Sequence, residues 1–241
     1  SSNKRKDLFS HVLIVDNDEE DVSFCWPPDD KNAVPMNISQ FCFPKTTDPE
    51  DDDDVLFTDP ICKDNIYIFM LSGSCSTPQT THLSCLDDGI FGVCTVLEGR
   101  CYCILTAHPF FDLHCQLLDG IIKNREHLDK FLGAIQVELE AFDFSVARSG
   151  FSLKTNHFDW AWPESCTDKF DFLSHWGLEV LLRVLPVDQI LFLVGCLLLE
   201  LKVVVVSKDP ATLSAALYGL LPLLRPCRWI QPFIPLLPQS L

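Results

Sequence analysis

Five residues inside one fifteen-residue window carry side chains able to bind a metal or to act as nucleophile and base: Cys101, Cys103, His108, His114 and Cys115. Thiolate sulfur and imidazole nitrogen are ligands that zinc takes readily, and a cysteine beside a histidine can be activated for covalent catalysis. Cys101 and Cys103 would share one face of a strand. Structural zinc sites, however, pair their ligands two to four residues apart in both halves of the site. His108 instead precedes Pro109 in a loop, and the chain has no Cys-x-x-Cys. The five are therefore read as small apolar core residues beside a surface histidine, and no metal or cofactor is expected. With twelve cysteines and seven histidines in the chain, a Cys/His pair carries little weight.

Other signatures of chemistry are missing from the sequence. It has no G-x-x-x-x-G-K-[ST] or G-x-G-x-x-G phosphate loop, no His-Glu-x-x-His and no G-x-S-x-G elbow. SGSCS at 72–76 does not fit the elbow. With no catalytic constellation in view, the residues point to a protein that works through a surface.

The elements that must position these residues follow from hydrophobic period and turn residues. Residues 8–15 (LFSHVLIV) predict a strand ended by Asp16-Asn17-Asp18, and 22–26 (VSFCW) a second, closed by Pro27-Pro28. Residues 29–64 read as loop apart from 38–44. Residues 66–71 predict a strand, followed by a polar stretch over 72–84. Residues 91–97 and 100–106 predict a hairpin around Glu98-Gly99, because a tight turn asks for glycine. Apolar residues at helical spacing predict helices over 110–123 and 128–142. Residues 1–145 thus form one lobe, a sheet with helices on it, and 146–172, irregular and containing WAWP at 160–163, an interlobe linker.

The pattern then changes. A helix over 178–185 ends at Pro186, and a second, buried helix spans 187–201. Residues 203–206 (VVVV) predict a strand covered on both faces. Asp209-Pro210 supplies an N-cap and a proline at the first helical position, opening a helix that runs to about 221. Helix, buried strand and helix predict a second α/β lobe over 173–241 with a mainly parallel sheet. The fold class is α/β in two lobes.

Composition bounds the function. The net charge is −16, and residues 16–64 carry −12 of it. Nucleic acid and anionic lipid both select a basic patch, so neither nucleic-acid binding nor binding of anionic lipid by charge alone is expected. The run DPEDDDD at 48–54 cannot be buried and reads as a solvated insertion. No secretory signal precedes the first strand, and cysteines inside apolar runs suit reduced thiols in the cytosol. The apolar run 190–199 is ten residues long, and Glu200 and Lys202 interrupt its continuation. A membrane-spanning helix needs roughly twenty residues, so no transmembrane segment is expected.

In order, WGLEVLLRVL (176–185), VDQILFL (187–193), LLLELKVVVVS (197–207), Leu213-Ser214, LLPLLRP (220–226) and WIQPFIPLLP (229–238) resemble the central part of the DENN domain. DLFSHVLIV (7–15), FCFP (41–44), FGVC (91–94) and PFF (109–111) resemble its upstream segment. The stretch 72–88 is longer than the family's turn, and 48–54 looks like an extra insertion. The chain lacks an initiator methionine and stops where the central domain would continue, so it is expected to be a fragment with an incomplete second lobe.

The resemblance implies a longin-like upstream lobe and guanine-nucleotide exchange on a Rab-family GTPase, which would sit between the lobes. Exchange needs no nucleophile or base, consistent with the missing constellation. It also implies a cytoplasmic protein associated peripherally, through partners, with vesicle or endosomal membranes. Glu200 and Lys202 match the family motif. Ser207, Lys208 and Asp209 stand at the carboxyl end of the expected strand, where ligands of open parallel sheets gather. These five are the candidate partner-binding residues. Asp209 reads first as a cap of the next helix, and Glu200 and Lys202 read also as the junction between helix and strand. Trp229, Ile234 and Pro235 read as core. The alternative is a non-catalytic DENN/longin scaffold, of the folliculin-like type, that binds small GTPases or membrane-associated complexes. A GTPase-activating variant would need an arginine finger, for which Arg148 is the candidate, and a degenerate copy would do neither.

Overall fold

The computed structural model describes residues 6–17, 22–28, 30, 34–35, 38–44, 63–71, 89–168, 170–227 and 229–237. The acidic run 48–54 and the polar stretch 72–84 lie outside them. The strands are β1 (His11–Asp16), β2 (Val22–Trp26), β3 (Tyr67–Leu71), β4 (Ile90–Leu97), β5 (Arg100–Thr106), β6 (Ser152–Lys154) and β7 (Asp159–Ala161). The helices are α1 (Ser39–Cys42), α2 (Phe111–Lys123), α3 (Leu128–Leu139), α4 (Asp171–Val184), α5 (Val187–Leu198) and α6 (Pro210–Leu220). The first five strands form one sheet in the order β2-β1-β5-β4-β3, and β6 pairs with β7.

Every ladder pair is antiparallel. The expected hairpin is present: Glu98 (φ 52°) and Gly99 (φ 72°) are both left-handed, as a two-residue turn with the native strand twist requires. Alternation then sorts the side chains. Val12, Ile68, Met70, Phe91, Val93, Tyr102 and Ile104 enter the core shared with α2 and α3. Leu13, Val15, Tyr67, Phe69, Cys94, Cys101, Cys103 and Leu105 face the other way, onto Ile38 and Cys42. A sheet covered on both faces explains why β5 reads as a nearly unbroken apolar run. Gly92 stands opposite Phe69 on β3. A Cβ at Gly92 would lie 2.0 Å from the Phe69 ring, so the glycine is what lets that ring lie flat on the strand.

The stretch 146–172 is more ordered than the expected linker. It contains the β6–β7 hairpin, and Trp160 and Trp162 are buried against Phe110 and Phe172. Trp162 Nε1 donates to the Cys166 carbonyl at 2.7 Å. Helix α4 starts at Asp171, earlier than 178, because the Asp168 carboxylate accepts from the Phe170 and Asp171 amides at 2.8 and 3.1 Å. Arg225 binds both Asp168 and Asp171, at 2.9 and 2.6 Å, and fastens the C-terminal segment to that helix start.

Helices α4 and α6 meet at two glycines. A Cβ on Gly177 would lie 2.1 Å from the Ala215 carbonyl oxygen, and one on Gly219 would lie 2.4 Å from that of Gly177. Helix α6 also reaches the sheet: Ser214 Oγ accepts from the Ile68 amide at 3.1 Å and donates to the Ala211 carbonyl at 3.2 Å. Ala215 and Tyr218 belong to the same core as α2 and α3.

Two expectations for 173–241 are corrected. Residues 203–206 carry no ladder, and no parallel pair occurs among the described residues. Val204 is 86% exposed and Val206 79%. Val203 and Val205 are half-buried, the alternation of an extended chain, but no neighbouring strand among the described residues supplies hydrogen bonds. Helix α5 is likewise not a buried helix: only Ile190 is buried, while Val187, Leu191, Phe192, Leu198 and Leu199 are exposed. Pro235 is buried, but Ile234 is exposed and Trp229 half-buried, so the expected core assignment of these three holds only in part. No helix among the described residues is long and apolar enough to cross a membrane.

Candidate functional site: the segment joining helices five and six

Glu200, Lys202, Ser207, Lys208 and Asp209 all lie on the segment between α5 and α6, and all are exposed. Its entry is fixed by the end of α5. The Glu200 amide donates to the Leu197 carbonyl at 2.9 Å, and the Leu201 amide to that of Cys196 at 3.0 Å. This 5→2 and 6→1 pair is a Schellman C-cap, whose key position normally holds glycine. Here Glu200 occupies it at φ 57°, a conformation that crowds the Cβ of any L-residue.

Its exit is fixed by the start of α6. Asp209 Oδ1 accepts from the Ala211 amide at 3.1 Å, Oδ2 accepts from the Thr212 amide at 3.0 Å, and the Thr212 hydroxyl also donates to Oδ2. Pro210 fills the first helical position, where its missing N–H costs nothing. The Asp209 amide donates in turn to Ser207 Oγ at 3.2 Å. Asp209 and Ser207 are therefore committed to the local turn, and Glu200 and Lys202 present their side chains to solvent. The strand whose carboxyl end was to carry 207–209 is not formed, so the crevice argument for those residues does not apply.

The five metal-candidate residues of the 101–115 window do not converge. Cys101 and Cys103 share a sheet face as expected, whereas His114 lies in the other core. Its ring nitrogens face the carbonyl oxygens of Phe110 (2.7 Å) and Leu8 (3.3 Å). Burial there lowers its pKa to about 4, against the pull of those two carbonyls. His108 is not a surface histidine: it is buried and stacked on Phe110 at 5.3 Å. Cys115 is half-buried on α2. Arg148 is exposed beside β6.

What the window missed is that other cysteines join the β5 pair. Cys94 stands directly opposite Cys103, and the sulfurs of Cys42, Cys94 and Cys101 all lie within 4.8 Å of one another. The Cys94–Cys103 pairing was readable, since both lie equally far from the Glu98-Gly99 turn. Cys42 had no such signal. Burial pushes the Cys94 and Cys101 thiols well above the ordinary range, so both rest protonated.

The comparisons reach the same family. The sequence model of the DENN (AEX-3) domain matches residues 97–241. The chain belongs to the DENN domain family. It is 28% identical to mouse DENN domain-containing protein 2C over 217 residues, which cover 85% of this chain and 21% of that protein. It is 25% identical to human DENN domain-containing protein 2B over 273 aligned positions, 99% of this chain and 22% of that protein. Mouse DENN domain-containing protein 2D is 26% identical over 149 residues, 59% of this chain and 31% of that protein. The chain thus spans between a fifth and a third of the length of these DENN relatives.

Proposed function

We propose that this chain is part of a guanine-nucleotide exchange factor for a Rab-family small GTPase, acting at vesicle or endosomal membranes. The observation that carries the reading is the DENN domain match over 97–241, joined to the alignment of nearly the whole chain with a DENN domain-containing protein. Within this reading, 1–145 is the upstream longin-like lobe, 146–172 connects it, and 173–241 begins the central domain.

Exchange is differential binding. A factor that prefers the nucleotide-free GTPase over its GDP-bound state lowers the barrier to GDP release. A tenfold acceleration needs only about 1.4 kcal/mol, which exposed polar contacts can supply without a nucleophile or base. Glu200, Lys202, Ser207 and Lys208 are the residues assigned to that contact. Asp209, exposed beside them, belongs to the same set and also shapes the segment through its helix cap. Contact made by side chains on so acidic a protein is sensitive to salt.

The test is release of fluorescent GDP from a panel of Rab GTPases with the full reading frame that contains this chain. At least tenfold acceleration for one or more Rabs is expected. No acceleration across the whole panel refutes the exchange factor, and stable GTPase binding without acceleration establishes the scaffold in its place.

A further inference from the structure

We propose that Cys42, Cys94 and Cys101, with Cys103 beside them, form a buried thiolate site for Zn(II). Three segments far apart in sequence bring these side chains to one point: α1 supplies Cys42, β4 supplies Cys94, and β5 supplies Cys101 and Cys103. All four residues are fully buried. The sulfurs of the first three lie within 4.8 Å of one another. Around a zinc ion with Zn–S bonds of about 2.3 Å, tetrahedral geometry puts ligand sulfurs roughly 3.8 Å apart, so a contraction of at most about an ångström completes the set. Cys103 stands directly opposite Cys94 on the same buried sheet face. The ordinary alternative is that cysteine serves here as a small apolar residue. That alternative asks only for burial, and gives no reason for three sulfurs from three segments to point at one another.

The surroundings suit a held ligand set. The Tyr67 hydroxyl, on β3, donates to the Cys42 carbonyl and lies 3.3 Å from Cys101 Sγ, so it bridges the segments that carry two of the ligands. Such outer contacts commonly orient metal ligands. The ion class follows from sulfur and burial: soft thiolates select Zn(II) or Cu(I) over hard cations. Charge separates those two. Three thiolates around Zn(II) leave a net −1 in a dry cavity, whereas the same three around Cu(I) leave −2, and unpaired buried charge is costly. Each ligating thiol gives its proton to the buffer, three per ion, or four if Cys103 ligates.

The test uses the purified, reduced chain. After dialysis against zinc and removal of loose metal, elemental analysis should find about one zinc per folded chain. Co(II) in place of zinc should show sulfur-to-cobalt charge transfer and the strong visible bands of a tetrahedral site. Cys42→Ser and Cys94→Ser should abolish the bands, and Cys115→Ser should keep them. Wild-type chain alone decides the matter if the variants do not fold. Native circular dichroism with less than about a tenth of an ion per chain and no cobalt bands overturns the site. Stoichiometric uptake of Cu(I) without zinc overturns the assignment to Zn(II), and bands that persist in both serine variants overturn the ligand set.

Discussion

Replacing Glu200 with glycine should make the protein more stable, although it deletes a charged residue from the family motif. Glu200 holds the left-handed position of the C-cap of α5, at φ 57°. That conformation costs an L-residue roughly 1–2 kcal/mol, and glycine nothing. Against this, glycine loses more chain entropy on folding, worth roughly 0.5–1 kcal/mol. The two cap hydrogen bonds, from Glu200 and Leu201 to Leu197 and Cys196, are made by backbone and survive the change. The carboxylate is exposed, so little else is lost. At mid-range the net is about 0.75 kcal/mol in favour of Glu200→Gly, a rise in Tm of roughly 1.5–3 °C for a chain of this size. Glu200→Ala keeps the Cβ and should show no such rise. Thermal unfolding followed by circular dichroism reads both variants, and a Tm for Glu200→Gly at or below the parent's would refute the strain argument. The same variant also separates shape from contact. If Glu200 touches the GTPase, GDP release slows while Tm rises; if it only ends the helix, release is unchanged.

Asp209→Ala should cost about 1 kcal/mol, since it orphans the Ala211 and Thr212 amides at the start of α6; Asp209→Asn keeps the acceptor and should restore the urea midpoint, and equal midpoints for the alanine variant and the parent would contradict the cap. His114 makes the fold acid-sensitive. Its folded pKa of about 4 lies below the ordinary 6.5, so the unfolded chain binds the proton first as pH falls. Its contribution is complete above about pH 6.5 and is lost towards pH 4, by about 3 kcal/mol in all. Urea unfolding across that window should show a slope that His114→Gln flattens, and an unchanged slope in the variant would show that another group governs the window.

The legible parts of the fold were those whose signal is local. The Glu98-Gly99 turn set the register of β4 and β5, apolar period marked α2 and α3, and Asp209-Pro210 marked the start of α6. Residues 203–206 show where local signal ends. A β-branched run states that an extended backbone is favoured, yet a strand exists only where a neighbour completes its hydrogen bonds. Helix α5 taught the same lesson: its composition suited burial, but burial depends on what packs against it. Cover on both faces belongs to β5, not to residues 203–206. In the candidate site, the cap at Asp209 was readable from two adjacent residues. The left-handed Glu200 was not, because the sequence gives no glycine to announce it. The thiol cluster needed a loop closure that brings Cys42 to the hairpin, which no spacing rule reports.

The bond between Ser214 and Ile68 has a consequence for how this protein meets its neighbours. In the order β2-β1-β5-β4-β3, strand β3 is the outermost among the described residues, and an outermost strand normally offers unpaired amides to any extended chain that passes. Here the Ile68 amide, near the start of that edge, is already taken by a side chain of α6, and the helix itself lies against that strand. The glycine contact that holds α6 to α4 therefore also guards the sheet against unwanted strand addition. A change that loosened the two helices would bare this edge as it opened the core around Ala215 and Tyr218.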